Sequence, residues 1–525
     1  MTASLPPGLL LILGAALVPL LGGRLRNIYL LALPLASLAD LVFNGAAGWG
    51  GLTFFDMQLA PVRADKLSLA FGYIFHIAAF LGFLFALNVS RTVEQVSALV
   101  YIGAAIGAVF AGDLVTLFVY WELTAVASVF IVWASRTEAS YRAGMRYLVV
   151  QVLSGVLLFA GAILHWTKTG SIAFGPMGLD GTAAALIFLA FGIKCAFPLL
   201  HNWLQDAYPE STVTGTVFLS AFTTKLAVYA LARGFPGTEA LIWIGAAMTA
   251  FPIFYAVIEN DLRRVLAYSL NNQLGFMVVG IGVGSELALN GTVAHAFAHI
   301  LYKALLFMSM GAVLFRTGTI KGSELGGLYK SMPLTAAFCI VGAASISAFP
   351  LFSGFVSKSL IMSAAQDKGL LVVWLVLLFA SAGVFHHSGI KIPYFAFFGH
   401  DSGKRCQEAP PPMLLAMGLT AFLCVAIGVY PAPLYAILPF KVDYVPYTPA
   451  HVITQLQLLM FSALAFAVLM RTGLYPPELR STNLDFDWTY RKAAPALGRA
   501  VFAPAIAARR ALANSAVRAW FGALA

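Results

Sequence analysis

The stretch FLAFGIKCAFPLLHNW, residues 188–203, places Lys194 inside an apolar run and Pro198 four residues later. A proline in the middle of a helix removes a backbone hydrogen bond and clashes with the preceding turn. A lysine in the middle of a bilayer costs about 3 kcal/mol or more, so it faces protein or water. The stretch therefore predicts a helix that is broken within the membrane, next to a buried charge.

The composition of the whole chain is that of an integral membrane protein. Of its 525 residues, 60% are hydrophobic and 10% are charged, whereas a soluble domain has about 25% charged residues. We expect an all-α polytopic membrane protein with about 14 to 15 transmembrane helices of about 20 residues each. The apolar runs are centred near residues 14, 36, 76, 102, 123, 154, 194, 222, 247, 274, 303, 348, 384, 420 and 462.

The basic residues predict the orientation in the membrane. If each loop is numbered by the span before it, the odd-numbered loops carry thirteen Lys and Arg residues and the even-numbered loops six, and eight more follow the last span. Because basic loops stay in the cytoplasm, we expect a cytoplasmic C-terminus and an outside N-terminus, in a bacterial inner membrane. This asymmetry explains the net charge of +10, so no nucleic-acid partner is expected.

The remaining basic residues are five lysines that lie within the spans. Such residues line functional sites by default, although a lysine near the end of a span can extend its amine to the interface. That alternative applies to Lys391. One acid, Glu122, lies deep in span 5, where it either packs between helices or balances the charge of a lysine. Such a pair of charges 4 Å apart has an interaction energy of about 4 kcal/mol at a dielectric constant of about 20. The lysines are Lys194, Lys225, Lys303, Lys358 and Lys391.

Span 11, VAHAFAHILYKALLFM (293–308), places His295, His299 and Lys303 four residues apart. This spacing puts all three on one face of a helix and favours a relay of titratable groups over simple packing. A metal site is the competing interpretation, but HExxH and an evident third ligand are missing. We expect neither a metal nor a cofactor. His201, about two turns after Lys194, is interpreted equally well as a relay group or as a packed polar residue.

Span 12, AASISAFPLFSGFVSKSLIM (343–362), predicts a second broken helix, with Pro350 and Gly354 ahead of Lys358 as the counterpart of Lys194. The two broken spans are five helices apart, and an odd offset inverts their direction. Spans 4–8 and 9–13 are therefore predicted to be inverted five-helix repeats. The predicted regions are helices 1–3 in 1–92, the repeats in 93–235 and 236–400, C-terminal helices in 401–471, and a cytoplasmic or interfacial tail in 472–525.

Six motifs follow one another along the chain: WE (121–122), IKCAFPLLHNWLQDA (193–207), TTKLAVYALAR (223–233), NDLRRVLAYSLNNQLGF (260–276), HAFAHILYKALLF (295–307) and FPLFSGFVSK (349–358). Together and in this order, they resemble the proton-translocating antiporter-like subunits shared by respiratory complex I and Mrp-type cation/proton antiporters. The resemblance implies that Glu122 pairs with Lys194, that Lys225 leads to the centre, and that Lys358 serves a second half-channel. His295, His299 and Lys303 would form the central axis. Gln205 stands where the family usually has proline, and the chain is most similar to Mrp D-type or unattached homologues.

The expected function is transport rather than catalysis, because no nucleophile or cofactor arrangement is visible. Protons would move along a mid-membrane axis of Glu, Lys and His side chains, in one subunit of a cation/proton antiporter. The expected partners are protons, the lipid bilayer and other membrane subunits, through which Na⁺ or K⁺ would pass. The alternative is a membrane anchor or coupling subunit of a redox, hydrogenase or inorganic-carbon uptake complex.

Overall fold

The protein is built almost entirely from helices in the part of the chain that the structure, a computed structural model, describes: residues 5–45, 51–89, 91–479, 483–504, 507–508, 511 and 515. One small antiparallel hairpin, β1 (Leu52–Phe54) with β2 (Met57–Leu59), lies in the loop after the second span. The helices are α1 (Leu9–Gly14), α2 (Gly23–Phe43), α3 (Lys66–Ala86), α4 (Thr92–Phe110), α5 (Leu114–Trp133), α6 (Glu138–Thr169), α7 (Gly181–Lys194), α8 (Asn202–Glu210), α9 (Gly215–Ala221), α10 (Thr223–Gly234), α11 (Glu239–Ile258), α12 (Leu262–Val283), α13 (Glu286–Thr317), α14 (Pro333–Ile346), α15 (Ser353–Asp367), α16 (Leu371–Val384), α17 (Lys391–Pro393), α18 (Pro411–Val429), α19 (Ala432–Ala436) and α20 (Pro449–Arg471).

The helix content confirms an all-α polytopic membrane protein. Among the described residues, eleven helices are long and apolar enough to cross a membrane, and three shorter apolar helices accompany them. Each of the fifteen predicted spans falls on one helix or on two consecutive helices, and span 8 falls on such a pair, α9 and α10, as the two predicted broken spans do. α12 is missing from the eleven because polar residues interrupt it, yet nearly all of it is buried. It is a helix inside the bundle that lipid does not surround.

Two inverted repeats form the centre of the molecule, α4–α10 and α11–α17. Their second helices, α5 and α12, each begin with an aspartate, Asp113 and Asp261, whose side chain accepts hydrogen bonds from the next backbone N–H groups. Asp113 forms an isolated β-bridge with Ala173, and Asp261 forms one with Lys321. The third helices, α6 and α13, both contain 32 residues. The same supersecondary plan is therefore used twice.

Both predicted breaks interrupt a helix at the same tetrapeptide, Ala-Phe-Pro-Leu. In the first repeat the sequence 196–199 lies between α7 and α8, and in the second the sequence 348–351 lies between α14 and α15. The alanine and leucine of each copy adopt positive φ angles, 61° and 70° in the first and 57° and 75° in the second. Only a few per cent of residues other than glycine do so. The breaks therefore share one unusual backbone conformation.

The second break ends before Gly354, which lies in the first turn of α15. A Cβ atom at this position would overlap the carbonyl oxygen of Ser345 in α14. Gly354 thus allows the two halves of the broken helix to approach each other, and the non-helical segment itself is 347–352. Amide side chains from other helices satisfy carbonyl groups in the breaks: Asn271 donates to Ala196 O at 2.9 Å and Gln455 to Ser347 O at 3.1 Å.

Ion pairs join loops of the same parity. On the odd-numbered side, Lys321 pairs with Asp261 at 2.8 Å and Lys330 with Asp401 at 2.7 Å. On the even-numbered side, Arg233 pairs with Asp65 at 2.7 Å, and Asp65 also caps α3. The odd-numbered and even-numbered loops therefore form two separate faces, as alternating membrane crossings require.

The chain forms two compact units, residues 1–481 and 482–525. Residues 472–479, assigned from the sequence to the tail, belong to the first unit, where Tyr475 is 6% exposed. In the second unit the described residues are helical from 487 to 504, with a π-helical turn at Thr489–Ala493, and largely exposed. Most of the tail after residue 504 lies outside the described residues.

Candidate functional site

Lys194 is the last residue of α7, immediately before the first break, and it is fully buried. Its amine donates to Trp121 O and to Thr124 Oγ1, both at 2.9 Å, and lies 4.3 Å from the centre of the Trp121 ring. The helix break ends the chain of backbone hydrogen bonds at this point, so the lysine can extend towards α5. The ammonium group is held by neutral acceptors and an aromatic face.

Glu122 is the acid whose charge acts on Lys194. Its carboxylate lies against Gly155 of α6, where a Cβ atom would overlap it. Oε1 is buried and has no hydrogen-bond partner among the described residues. No oxygen of Glu122 lies within 4.0 Å of the Lys194 amine. The two charges are therefore close enough to interact but are not in contact, so each can gain or lose a proton without breaking a direct ion pair.

Hydroxyl groups lie on the Lys194 side of this pair. Thr124 Oγ1, which accepts from Lys194, donates to Trp121 O, and Ser128 donates to Thr124 O and contacts the Tyr147 hydroxyl at 2.8 Å. Trp121 in turn donates to Ser154, which donates to a carbonyl of α7. These residues were not predicted from the sequence, although Thr124 and Ser128 lie on the same face of span 5 as Trp121, at helical spacing. They give the first repeat a polar lining.

Lys225 of α10 links the first repeat to the second. It is fully buried, and its amine donates to Ser220 O at 2.6 Å. Its charge acts on His295 and His299 of α13 and also on Lys303. The structure thus places Lys225 within electrostatic range of the three α13 groups.

The three α13 groups are fully buried at the centre of the bundle. His295 contacts Ser357 at 3.1 Å and Gln273 at 3.2 Å, and the His295 and His299 rings lie 6.2 Å apart. Neither ring nitrogen of His299 has a hydrogen-bond partner among the described residues. Lys303 donates to Ser269 Oγ at 2.8 Å. His299 is therefore placed between charged groups with both nitrogens available.

Lys358 lies in α15, after the second break, whereas Lys194 precedes the first. Its amine donates to Ile346 O at 3.3 Å and lies 4.9 Å from the centre of the Phe276 ring. It also lines a cavity of about 520 Å³. Polar side chains of α15 and α20 share this cavity: Ser359, Ser363, Gln366, His451, Thr454 and Gln455. The two lysines therefore have similar surroundings, but they do not occupy equivalent positions in the repeats.

The two further candidates lie at the edges of this axis. His201, at the start of α8, is 2% exposed, and its ring lies 4.6 Å from that of Phe251 in α11. Lys391 does not extend to water: it is fully buried and pairs with Glu478 at 2.9 Å. Glu478 follows the last span, among other charged residues, and nothing in the local sequence indicates that it pairs with Lys391.

Within the described ranges, no group of three or more His, Cys, Asp or Glu side chains is arranged to hold a metal ion. The buried charges instead form a row of single groups separated by hydroxyl and amide side chains. A broken helix in each of two inverted repeats, with a lysine beside each break, defines a class of ion-translocating membrane proteins.

The comparisons with known proteins identify the family. The profile of the family described as NADH:quinone oxidoreductase/Mrp antiporter, transmembrane, matches residues 111–385. The chain belongs to this family. The matched segment contains both breaks and all of the proposed axis from Glu122 to Lys358, which confirms the resemblance.

Individual relatives agree with this result. The chain is 31% identical over 359 residues to the A/B-type subunit of a probable K(+)/H(+) antiporter in Rhizobium meliloti, covering 64% of this chain and 36% of that protein. It is 30% identical over 322 residues to the D-type subunit of the Na(+)/H(+) antiporter in Alkalihalophilus pseudofirmus, covering 58% of this chain and 64% of that protein. The matches thus span less than two thirds of either relative.

The fold is also found in a solved assembly. A chain of the Mrp complex from Dietzia sp. DQ12-45-1b superposes with a TM-score of 0.75 at 21% identity, covering 89% of this chain and all of that one. At this identity the comparison shows the fold alone. The all-helical membrane fold predicted from the sequence is confirmed.

Proposed function

We propose that this chain is the proton-translocating subunit of a cation/proton antiporter-type transporter. The observation that carries the proposal is the row of buried titratable groups that crosses from one repeat into the other. Lys225 belongs to the first repeat and His299 to the second, and the charges of Lys225, Lys303 and Lys358 all act on His299. An ionisable residue inside a membrane is costly and is therefore functional by default, and this row contains six buried titratable groups: Lys194, Lys225, His295, His299, Lys303 and Lys358.

The surroundings of Lys194 support proton release that is controlled by Glu122. Lys194 is held by neutral acceptors and lies near, but not against, the carboxylate of Glu122. When Glu122 carries its negative charge it stabilises the ammonium form of Lys194, and when Glu122 is protonated this stabilisation is lost. A proton that arrives at Glu122 therefore favours release of a proton from Lys194 towards Lys225. The α13 histidines and Lys303 then pass it to Lys358.

The finer assignments are also proposals. The two repeats are assigned to residues 93–235 and 236–400, with helices 1–3 before them and C-terminal helices after them. Odd-numbered loops are placed in the cytoplasm of a bacterium and the N-terminus outside, in line with the basic residues. Na⁺ or K⁺ would cross through other membrane subunits, which the fold match to a chain of the Mrp complex supports.

The test is proton flux into vesicles containing the purified full-length chain, with imposed pH and sodium gradients. Glu122→Gln and Lys194→Met should abolish flux while the protein still reconstitutes. Lys441→Met is the matched control, because the Lys441 side chain is 84% exposed and pairs with Asp443 in the same loop. Wild-type flux in both pathway variants would overturn the proposed mechanism. Flux by the lone chain would exclude a purely anchoring role.

A further inference from the structure

A second row of polar groups leaves the central axis at Lys303. Lys303 donates to Ser269 Oγ at 2.8 Å, Ser388 donates to the same oxygen at 2.7 Å, and His387 Nδ1 contacts Ser388 Oγ at 2.9 Å. Ser388 lies 119 residues after Ser269 in the chain, so the contact joins α12 to the helix that continues α16. A continuous set of hydrogen bonds therefore runs from the central lysine to an imidazole.

The helix changes its winding where this row enters it. Residues Phe385–Ile390 form a π-helix between α16 and α17. π-helical turns within α-helices occur frequently at functional sites. His387 is fully buried, its Nε2 has no partner among the described residues, and the charges of both Lys303 and Lys391 act on it. The imidazole is therefore bonded towards Lys303 on one side and open on the other.

Lys391, one turn further on, has more acceptors than it can use. Its amine lies within hydrogen-bond distance of the carbonyls of Ala256 (3.2 Å), Val257 (2.6 Å) and Glu259 (2.7 Å), and of the Glu478 carboxylate (2.9 Å). An ammonium group has three N–H donors, so one acceptor is always in excess. The three carbonyls alone satisfy Lys391, and Glu478 is not required to keep it bonded.

Glu478 lies where this row reaches the odd-numbered loops. Its side chain is 5% exposed, and Oε2 lies next to Gly322 in the loop that pairs with Asp261. Burial raises the pKa of Glu478, and the ammonium group of Lys391 opposes that effect while the charge of Glu259 adds to it. Tyr475 and His386, whose rings stack 5.4 Å apart, belong to the same cluster.

We propose that Glu478, Lys391, His387, Ser388 and Ser269 form a branch through which protons pass between the odd-numbered loop face and Lys303. In the inward direction Glu478 gives its proton to neutral Lys391, whose ammonium group passes one to Nε2 of His387. The imidazole releases the proton on Nδ1 to Ser388, and the two hydroxyls pass a proton on to neutral Lys303. Lys391, His387 and the two serines return to their starting charges. Before the next cycle Lys303 passes its proton to the central axis, the His387 proton moves from Nε2 back to Nδ1 by tautomer exchange or ring rotation, the hydroxyls rotate back, and Glu478 is reprotonated from water.

The branch rests on the proposed function but has its own test. Full-length variants Glu478→Gln, Glu478→Asp and Ser388→Ala are reconstituted and compared with Glu122→Gln. We expect Glu478→Gln to lower proton flux about a hundredfold, at the lower end of the range for loss of a positioned proton-transfer group. Glu478→Asp keeps a carboxyl group and should retain much of the wild-type flux, and Ser388→Ala should lower the flux. Glu408→Gln is the control, a carboxylate on the same face that binds the start of α14 and its own loop.

The outcomes separate the two proposals. Wild-type flux in Glu478→Gln and Ser388→Ala, with Glu122→Gln inactive, overturns the branch and leaves the main axis intact. Wild-type flux in all three overturns the main axis. If Glu408→Gln loses as much proton flux as Glu478→Gln, the loss is not specific to the branch and the branch is overturned. If Glu478→Gln does not reconstitute, infrared difference spectra recorded on acidification of the wild type and of Glu478→Asp decide between the outcomes. A band of a protonated carboxyl group whose frequency differs between the two proteins supports the branch. Identical spectra overturn it.

Discussion

Replacement of Thr124 by valine removes one of the groups that bind the Lys194 amine, and the valine side chain has nearly the same shape as the threonine side chain. Thr124 Oγ1 accepts from the lysine at 2.9 Å and donates to Trp121 O at 2.6 Å. A hydrogen bond to a charged group is worth about 1.5 to 3 kcal/mol. The variant therefore weakens retention of the ammonium group beside Trp121 by a factor of about 10 to 150. Trp121 O still accepts from Lys194, so the helices stay packed.

If Lys194 must occupy this position in every transport cycle, proton flux should fall about tenfold or more, by the same energy. The assay is dye-monitored acidification of proteoliposomes under a fixed pH gradient, normalised to reconstituted protein. Thr420→Val is the matched control: Thr420 is equally buried and donates to a carbonyl of its own helix, Ala416 O at 2.7 Å. Flux within twofold of wild type in Thr124→Val would refute the role assigned to this position.

Three other substitutions test separate parts of the structure. Gly155→Ala inserts a methyl group where the Glu122 carboxylate lies, so flux should drop strongly with little change in the unfolding midpoint, and unchanged flux would show that this carboxylate position is not used. Asp65→Asn should cost about 1 kcal/mol at pH 7, because the side chain is 40% exposed and its ion pair is partly screened. Partial burial raises the pKa of Asp65, but Arg233 and the Ser68 N–H outweigh that effect and bring the pKa to about 2. The wild type should therefore be more stable than Asp65→Asn above about pH 4, and this difference in stability should disappear between about pH 4 and 2. A difference that persists at pH 2 would contradict this. Arg263→Met leaves the carbonyls of Pro209, Ser211 and Thr212 without their guanidinium donor. Because a buried acceptor left unsatisfied costs about 1 to 3 kcal/mol, the midpoint of thermal unfolding should fall, whereas an unchanged midpoint would mean that water replaces the donor.

The sequence was sufficient for the broken helices and for the α13 groups, because each depends on local features. Pro198 and Pro350 interrupt helices by their own chemistry, and the four-residue spacing of His295, His299 and Lys303 fixes them on one face. Glu478 was missed because only tertiary folding brings it to Lys391. The serine link between Ser269 and Ser388 was missed for the same reason, since buried hydroxyls in membrane helices have no distinctive local pattern.

The Ala-Phe-Pro-Leu breaks have a consequence for the symmetry of the molecule. The backbone is inverted between the repeats, so a strictly symmetric protein would place its two lysines in opposite halves of the membrane. Lys194 precedes its break in a helix that starts at an even-numbered loop, and Lys358 follows its break in a helix that ends at one. Both amines therefore lie on the same side of their breaks. The repeats are inverted but the positions of their lysines are not, so the odd-numbered and even-numbered loop faces differ in their distance from the two charges before any gradient is applied.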